Sequence, residues 1–220
     1  MRNERFRPVT VIFCAILLVV GACAPFGGGT QHPTKNYVLS SMYSQEPPPQ
    51  PVADLSDIGI LVGPIRMAMY LDRSDVVIRN SQNEVVIADF ASWAGPLPEN
   101  FSRVLAENLS LWLNTKKVAI FPEVAIFPGT KVAFYDYSVG VNVTRFDGRP
   151  GGKAHLRARW AILDKKRKNM LFQEHTVLSQ PIENDSIEAM IASQSRTVVD
   201  FSREIAEAIK KLVEEKTAKQ

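Results

Sequence analysis

The chain has 220 residues, of which 45% are hydrophobic and 22% charged, with a net charge of +3. That length suits one or two domains, and the composition excludes a wholly disordered chain, a collagen-like fibre and a polytopic membrane protein. Arg2, Glu4, Arg5 and Arg7 contribute +2 of the charge, so the remainder is close to neutral and net charge makes no case for nucleic-acid binding. Cys14 and Cys23 are the only cysteines, which leaves no disulfide framework and no cysteine metal site beyond residue 23.

The first segment reads as an address. Residues 1–8 are basic, and Val9 to Val20 is apolar except for Thr10. Twelve helical residues cover only about 18 Å, short of the roughly 30 Å of a bilayer core, so residues 1–22 are expected to be a secretory signal rather than a span. Val20-Gly21-Ala22-Cys23 matches the bacterial lipoprotein processing box. Cys23 is therefore the expected lipidation site, diacylated and, after cleavage, acylated at its new amino terminus, so that three fatty chains such as palmitate would anchor the chain stably. Ala24 stands where an Asp commonly retains such proteins in the inner membrane, which points to the outer membrane of a Gram-negative bacterium, facing the periplasm.

Residues 23–35, with Pro25, Gly27, Gly28, Gly29 and Pro33, read as a lipidated cysteine and flexible tether. One domain is expected over 36–216, leaving a tail at 217–220. Tyr37-Val38-Leu39 suggests a first strand, and Gln45 to Pro51 is a proline-rich loop. Ile58 to Ile65 is apolar on both faces, as in a central strand. Val76–Ile78 and Val85–Ile87 read as short strands around a Ser81-Gln82-Asn83 turn. The spacing of Phe101, Val104, Leu105, Leu109 and Trp112 predicts a helix over 98–114, followed by a strand at 117–121.

From 134 to 146 the chain alternates, with Tyr135, Tyr137, Val139, Val141 and Val143 on one face. Strands at 155–163 and 171–178 flank a Lys165, Lys166, Arg167, Lys168 tip, predicting an antiparallel meander over 134–178. If that tip closes the hairpin simply, His155 falls opposite Leu178 and His175 opposite Ala158. Ile187, Ile191, Val198, Phe201, Ile205 and Leu212 predict a long helix over 186–215, packed on a sheet or forming a coiled-coil seam. Strands followed by helices give an α/β or α+β layered domain. The chain has no G-x-S-x-G, H-E-x-x-H, Walker-type loop or G-x-G-x-x-G, and its histidines are too few and too separated for a triad or a metal site. No enzyme activity, metal or cofactor is expected.

Met69-Tyr70-Leu71-Asp72-Arg73-Ser74-Asp75 places an aromatic, an aliphatic, an acid and a base together between two strands. Phe90 to Leu97, containing Trp93-Ala94-Gly95-Pro96-Leu97, precedes the first helix. With Asn36 to Leu39, Leu156 to Trp160 and the processing box, this order resembles the ABC-type transport auxiliary lipoproteins, the PqiC-like family, from Tyr37 to about Leu212. That pattern often carries an acid where this chain has Gly95.

The resemblance implies a three-layer α/β/α sandwich with a mixed, largely antiparallel sheet, similar to anticodon-binding-like domains and the amino-terminal domain of TolB. It also implies a lipid-anchored accessory subunit that positions an MCE-domain conduit for lipid transport, with no catalytic residues. Tyr70, Leu71, Asp72, Arg73 and Trp93 are the candidate partner-binding surface; the alternative is that Leu71 and Trp93 are core and Asp72–Arg73 fixes a turn. A homo-oligomer is compatible with ring-forming MCE partners. The competing functions are a stand-alone periplasmic lipid carrier, which needs an apolar cavity, and an outer-membrane assembly factor.

Overall fold

Alternation in the second half of the chain builds the centre of the sheet. In a computed structural model describing residues 33–44, 47, 49–122, 135–166 and 168–219, three twelve-residue strands form the expected meander: β6 (Tyr137–Gly148), β7 (Lys153–Asp164) and β8 (Met170–Pro181). The expected signal segment, Cys23 and nearly all of the expected tether lie outside the described residues. Thr34–Gln220 forms one compact unit.

Five further strands complete the sheet: β1 (Lys35–Tyr37), β2 (Ile60–Met67), β3 (Asp75–Arg79), β4 (Val85–Trp93) and β5 (Val118–Ile120). The order is β1-β4-β3-β6-β2-β5, with β7 on β6 and β8 on β7. The long β6–β7 and β7–β8 ladders are antiparallel, whereas β2 runs parallel to both β5 and β6. β2 pairs with β6 from Tyr137 to Val143, and β3 joins β6 at Gly148. β4 runs on to Trp93, so Phe90-Ala91-Ser92-Trp93 is strand, and only Ala94-Gly95-Pro96 separates it from the helix at Leu97.

Helix α1 (Leu97–Trp112) starts with Pro98 in its first turn, where a missing N–H is harmless. It stops before Asn114, which adopts φ 48, a left-handed conformation that asparagine tolerates at helix ends. Helix α2 (Ile187–Thr217) is capped by Ser186, whose Oγ accepts from Ala189 N at 3.0 Å.

The mixed α/β class is borne out, with a correction to its layering. Both helices pack on the same sheet face and on each other. Phe101 of α1 meets Phe201 of α2 at 6.3 Å between ring centroids and meets Phe146 of β6 edge-on at 5.5 Å. Asn108 Nδ2 donates to Ser202 Oγ at 3.2 Å, and Asn108 Oδ1 accepts from Met42 N at 2.9 Å. Among the described residues the architecture is therefore two layers, with no helix on the second face. That leaves α2 packed on the sheet rather than forming a coiled-coil seam.

Two bulges decide which side chains face the helices. Val143 pairs with Ala158 but Arg145 with Arg157, so Thr144 is the extra residue. A one-residue slip exchanges the two faces of a strand. Phe146 thereby joins the core, while Arg145 and Asp147 turn to the opposite, open face. At the β7–β8 tip Leu163 pairs with Met170, but Ile162 pairs with Phe172. Leu171 is the extra residue. His155 therefore lies opposite Ser179 and His175 opposite Arg159, one residue from the simple hairpin register. The slip buries Thr176, which accepts from Trp160 Nε1 at 3.0 Å, and turns His175 to the open face.

Candidate functional site

The segment that ends β2 and begins β3 carries the site. Ala68 N donates to Val143 O at 2.9 Å, a backbone bond that ties this stretch to β6, and Met69–Leu71 then forms one 3-10 turn. The turn presents Met69 to solvent at 92% exposure and buries Leu71 at 2%. Between them Tyr70 lies over the open sheet face. Its hydroxyl donates to Asp147 Oδ2 at 2.9 Å.

Asp147 is the centre of a charged cluster. Arg79 Nε donates to its Oδ2 and Arg145 Nε to its Oδ1, each at 2.8 Å. The carboxylate side chain has no exposed surface, while the two arginine side chains keep 19% and 27%. Arg79 also lies 5.7 Å from the Tyr70 ring centroid and donates to Gln82 O at 3.1 Å. A buried carboxylate is tolerable only when paired and hydrogen-bonded, and both oxygens here are. The Tyr70 hydroxyl is pushed above its usual 10.0, first by burial and then by the Asp147 charge. His155, opposite Asp147, is drawn below 6.5, first by burial and then by Arg145, with Asp147 opposing. Asp147 is engaged by three donors, so the cluster acts as a clamp that pins the Tyr70 turn and the end of β3 to β6.

The clamp separates the five predicted surface residues. Leu71 and Trp93 are core, at 2% and 5% exposure, packed with Val76, Leu97 and Phe101. The candidate surface thus narrows to Tyr70, Asp72 and Arg73. Asp72 and Arg73 are exposed, and Arg73 Nε stands 3.6 Å from Asp75 Oδ2. Sequence reasoning missed Asp147, Arg79 and Arg145. The sequence alternation runs regularly through Thr144, so nothing up to that point marked the register step that turns Arg145 and Asp147 to the open face. A side chain at Gly95 would meet nothing within 4 Å, so the acid common there in the resembling pattern would point into open space.

A model of the ABC-type transport auxiliary lipoprotein component family matches residues 37–206. The chain belongs to this family. The match covers the Tyr70–Arg73 turn, all of the clamp and most of α2. No curated protein matches. Among solved structures, protein XCC0632 from Xanthomonas campestris is similar, with a TM-score of 0.62, 14% identity, and coverage of 84% of this chain and 100% of that one. A crystal structure of an uncharacterized protein has a TM-score of 0.58 and 23% identity, covering 73% of this chain and 99% of that one. Both likenesses concern the fold.

Proposed function

We propose that this ABC-type transport auxiliary lipoprotein is a non-enzymatic, periplasm-facing subunit, anchored through Cys23, that positions an MCE-domain conduit at the outer membrane. The family match over residues 37–206 is the observation that carries the reading. The anchor itself rests on the Val20-Gly21-Ala22-Cys23 box, and Ala24 favours the outer membrane. The turn at Tyr70, Asp72 and Arg73 is the proposed contact for the conduit. It is held rigid by the Asp147 clamp while offering an exposed acid and base, a combination that suits specific docking.

The grooves of the domain favour docking over a lipid carrier. The groove beneath Pro49 to Val52 sets Trp112 against Arg203, Glu207, Lys210, Lys211 and Glu214. Another joins Tyr137, Leu171 and Leu212 to Asp136, Asp164, Lys165 and Glu215. Both are open surface grooves bordered by several charged side chains, not the enclosed cavity in which a lipid chain would be buried.

Purification of the tagged protein from crosslinked, mildly solubilised membranes tests this. An MCE-domain protein in the eluate is the expected result. Bound phospholipid without that partner would replace this reading with the carrier.

A further inference from the structure

The sheet face turned away from the helices carries far more positive charge than the rest of the chain. Cross-strand register places Arg66 of β2 beside Asn142, Arg159 opposite Asn142, Arg157 opposite Arg145, and His155 opposite Asp147. Lys153 alternates onto this face, and the Asp147 clamp brings Arg79 there. Across β2, β6, β7, β8 and the end of β3, six arginines and lysines share the face with one acid, Asp147. Asp75 and Asp89 lie beyond, towards the β3–β4 edge. The six cations less Asp147 give +5 on this face in a chain of net charge +3, so everything else sums to −2.

This charge is arranged at a cost to the fold. Arg145 and Arg157 are directly opposite on adjacent strands, and Arg157 and Arg159 are successive residues on one face. Like charges so placed repel. Arg66, Lys153, Arg157 and Arg159 are exposed and have no salt bridge among the described residues. The remaining face residues are mostly small or neutral, such as Gly140, Asn142 and Ser179, so the surface is broad rather than pocketed. A broad, evenly basic surface suits a sheet of anions better than one ligand.

We infer that this open basic face docks on the headgroups of an anionic phospholipid bilayer. A tether of twelve residues, 24–35, reaches at most about 43 Å. An anchor at Cys23 would therefore keep the domain close to a bilayer, where each cation strengthens attraction to an anionic surface roughly fivefold. The inference shares the anchor with the proposed function but needs no transporter.

The test uses the full processed chain in vesicles, labelled at a single introduced cysteine. Asn142→Cys reports the open face, and Ala192→Cys reports an exposed position on α2. The vesicles are phosphatidylcholine, with or without about 30% phosphatidylglycerol, and carry a headgroup-attached quencher. Flotation with neutral vesicles reports the anchor alone. The expected result is quenching at 142 several-fold above that at 192, only with phosphatidylglycerol, lost in about 0.5 M salt. Arg157→Gln/Arg159→Gln should abolish that difference while its circular dichroism and urea midpoint match or exceed wild type. Equal quenching at both positions, or a difference indifferent to lipid charge, would overturn the inference. So would quenching absent at 142 while that position crosslinks in cells to an acidic protein.

Discussion

Arg79 Nε donates to Asp147 Oδ2 at 2.8 Å across 68 residues of sequence. The bond lies beside Ile78 and Gly148, the pair through which β3 joins β6. A single backbone pairing is a weak junction, and the buried ion pair reinforces it. Tyr70 and Arg145 complete the coordination, so the charged cluster holds the turn that the proposed partner would touch.

Asp147→Asn should destabilise the domain more than a surface charge change would. It leaves two facing guanidinium groups without their shared anion. Removing one member of a buried pair costs 3–5 kcal/mol, and the residual exposure of both arginines lowers the expectation to about 2–3 kcal/mol. Tyr70→Phe removes one hydrogen bond to the same charge and should cost about 1–2 kcal/mol. Urea unfolding followed by circular dichroism gives both values.

The titration of His155 predicts a pH dependence. Its folded value lies below 6.5, so the unfolded chain takes up the proton first. The stability it contributes is present above 6.5 and is lost as pH falls below it. The urea midpoint should drop between about pH 7 and pH 5, and His155→Gln should flatten that drop. Tyr70 acts at the other end. Its raised value means stability is full below 10.0 and is lost as pH rises through the folded value. A midpoint curve flat below pH 7, and unchanged by His155→Gln, would contradict the first assignment.

Gly148→Ala should also destabilise. A Cβ there would stand 3.0 Å from Met190 Cγ, 3.2 Å from Ala154 Cα and 3.3 Å from Ile182 Cδ1. Overpacking of this kind costs about 1–3 kcal/mol, visible as a lower melting temperature. Gly140→Ala is the control, since a Cβ there meets nothing within 4 Å.

Much of the fold was legible because most segments are periodic. The meander, both helices and the apolar β2 strand follow from alternation or 3.6-residue spacing. The site was less legible. Asp147 and Arg145 reach the open face because of one extra residue at Thr144, and no propensity marks that position as a bulge. The Leu171 bulge moved both histidines by one register step for the same reason. The chain order could not show that α1 and α2 share a sheet face, since that depends on connections between distant strands.

The division of the candidate surface gives contrasting expectations. Leu71→Ala and Trp93→Ala should cost about 2–5 kcal/mol, because both side chains are buried in the core. Asp72→Ala/Arg73→Ala should stay within about 0.5 kcal/mol of wild type. A folded double variant that no longer copurifies with its partner would assign the turn to docking. Unfolding of that variant would return Asp72 and Arg73 to a structural role.

The most direct measurement places a photocrosslinking amino acid at Asp72 in the full chain, in intact cells, with Ala192 as the control position. The proposed function predicts an adduct with an MCE-domain protein from 72 and none from 192. Adducts of equal yield at both positions, or none to an MCE-domain protein from 72, would contradict docking through the Tyr70–Arg73 turn.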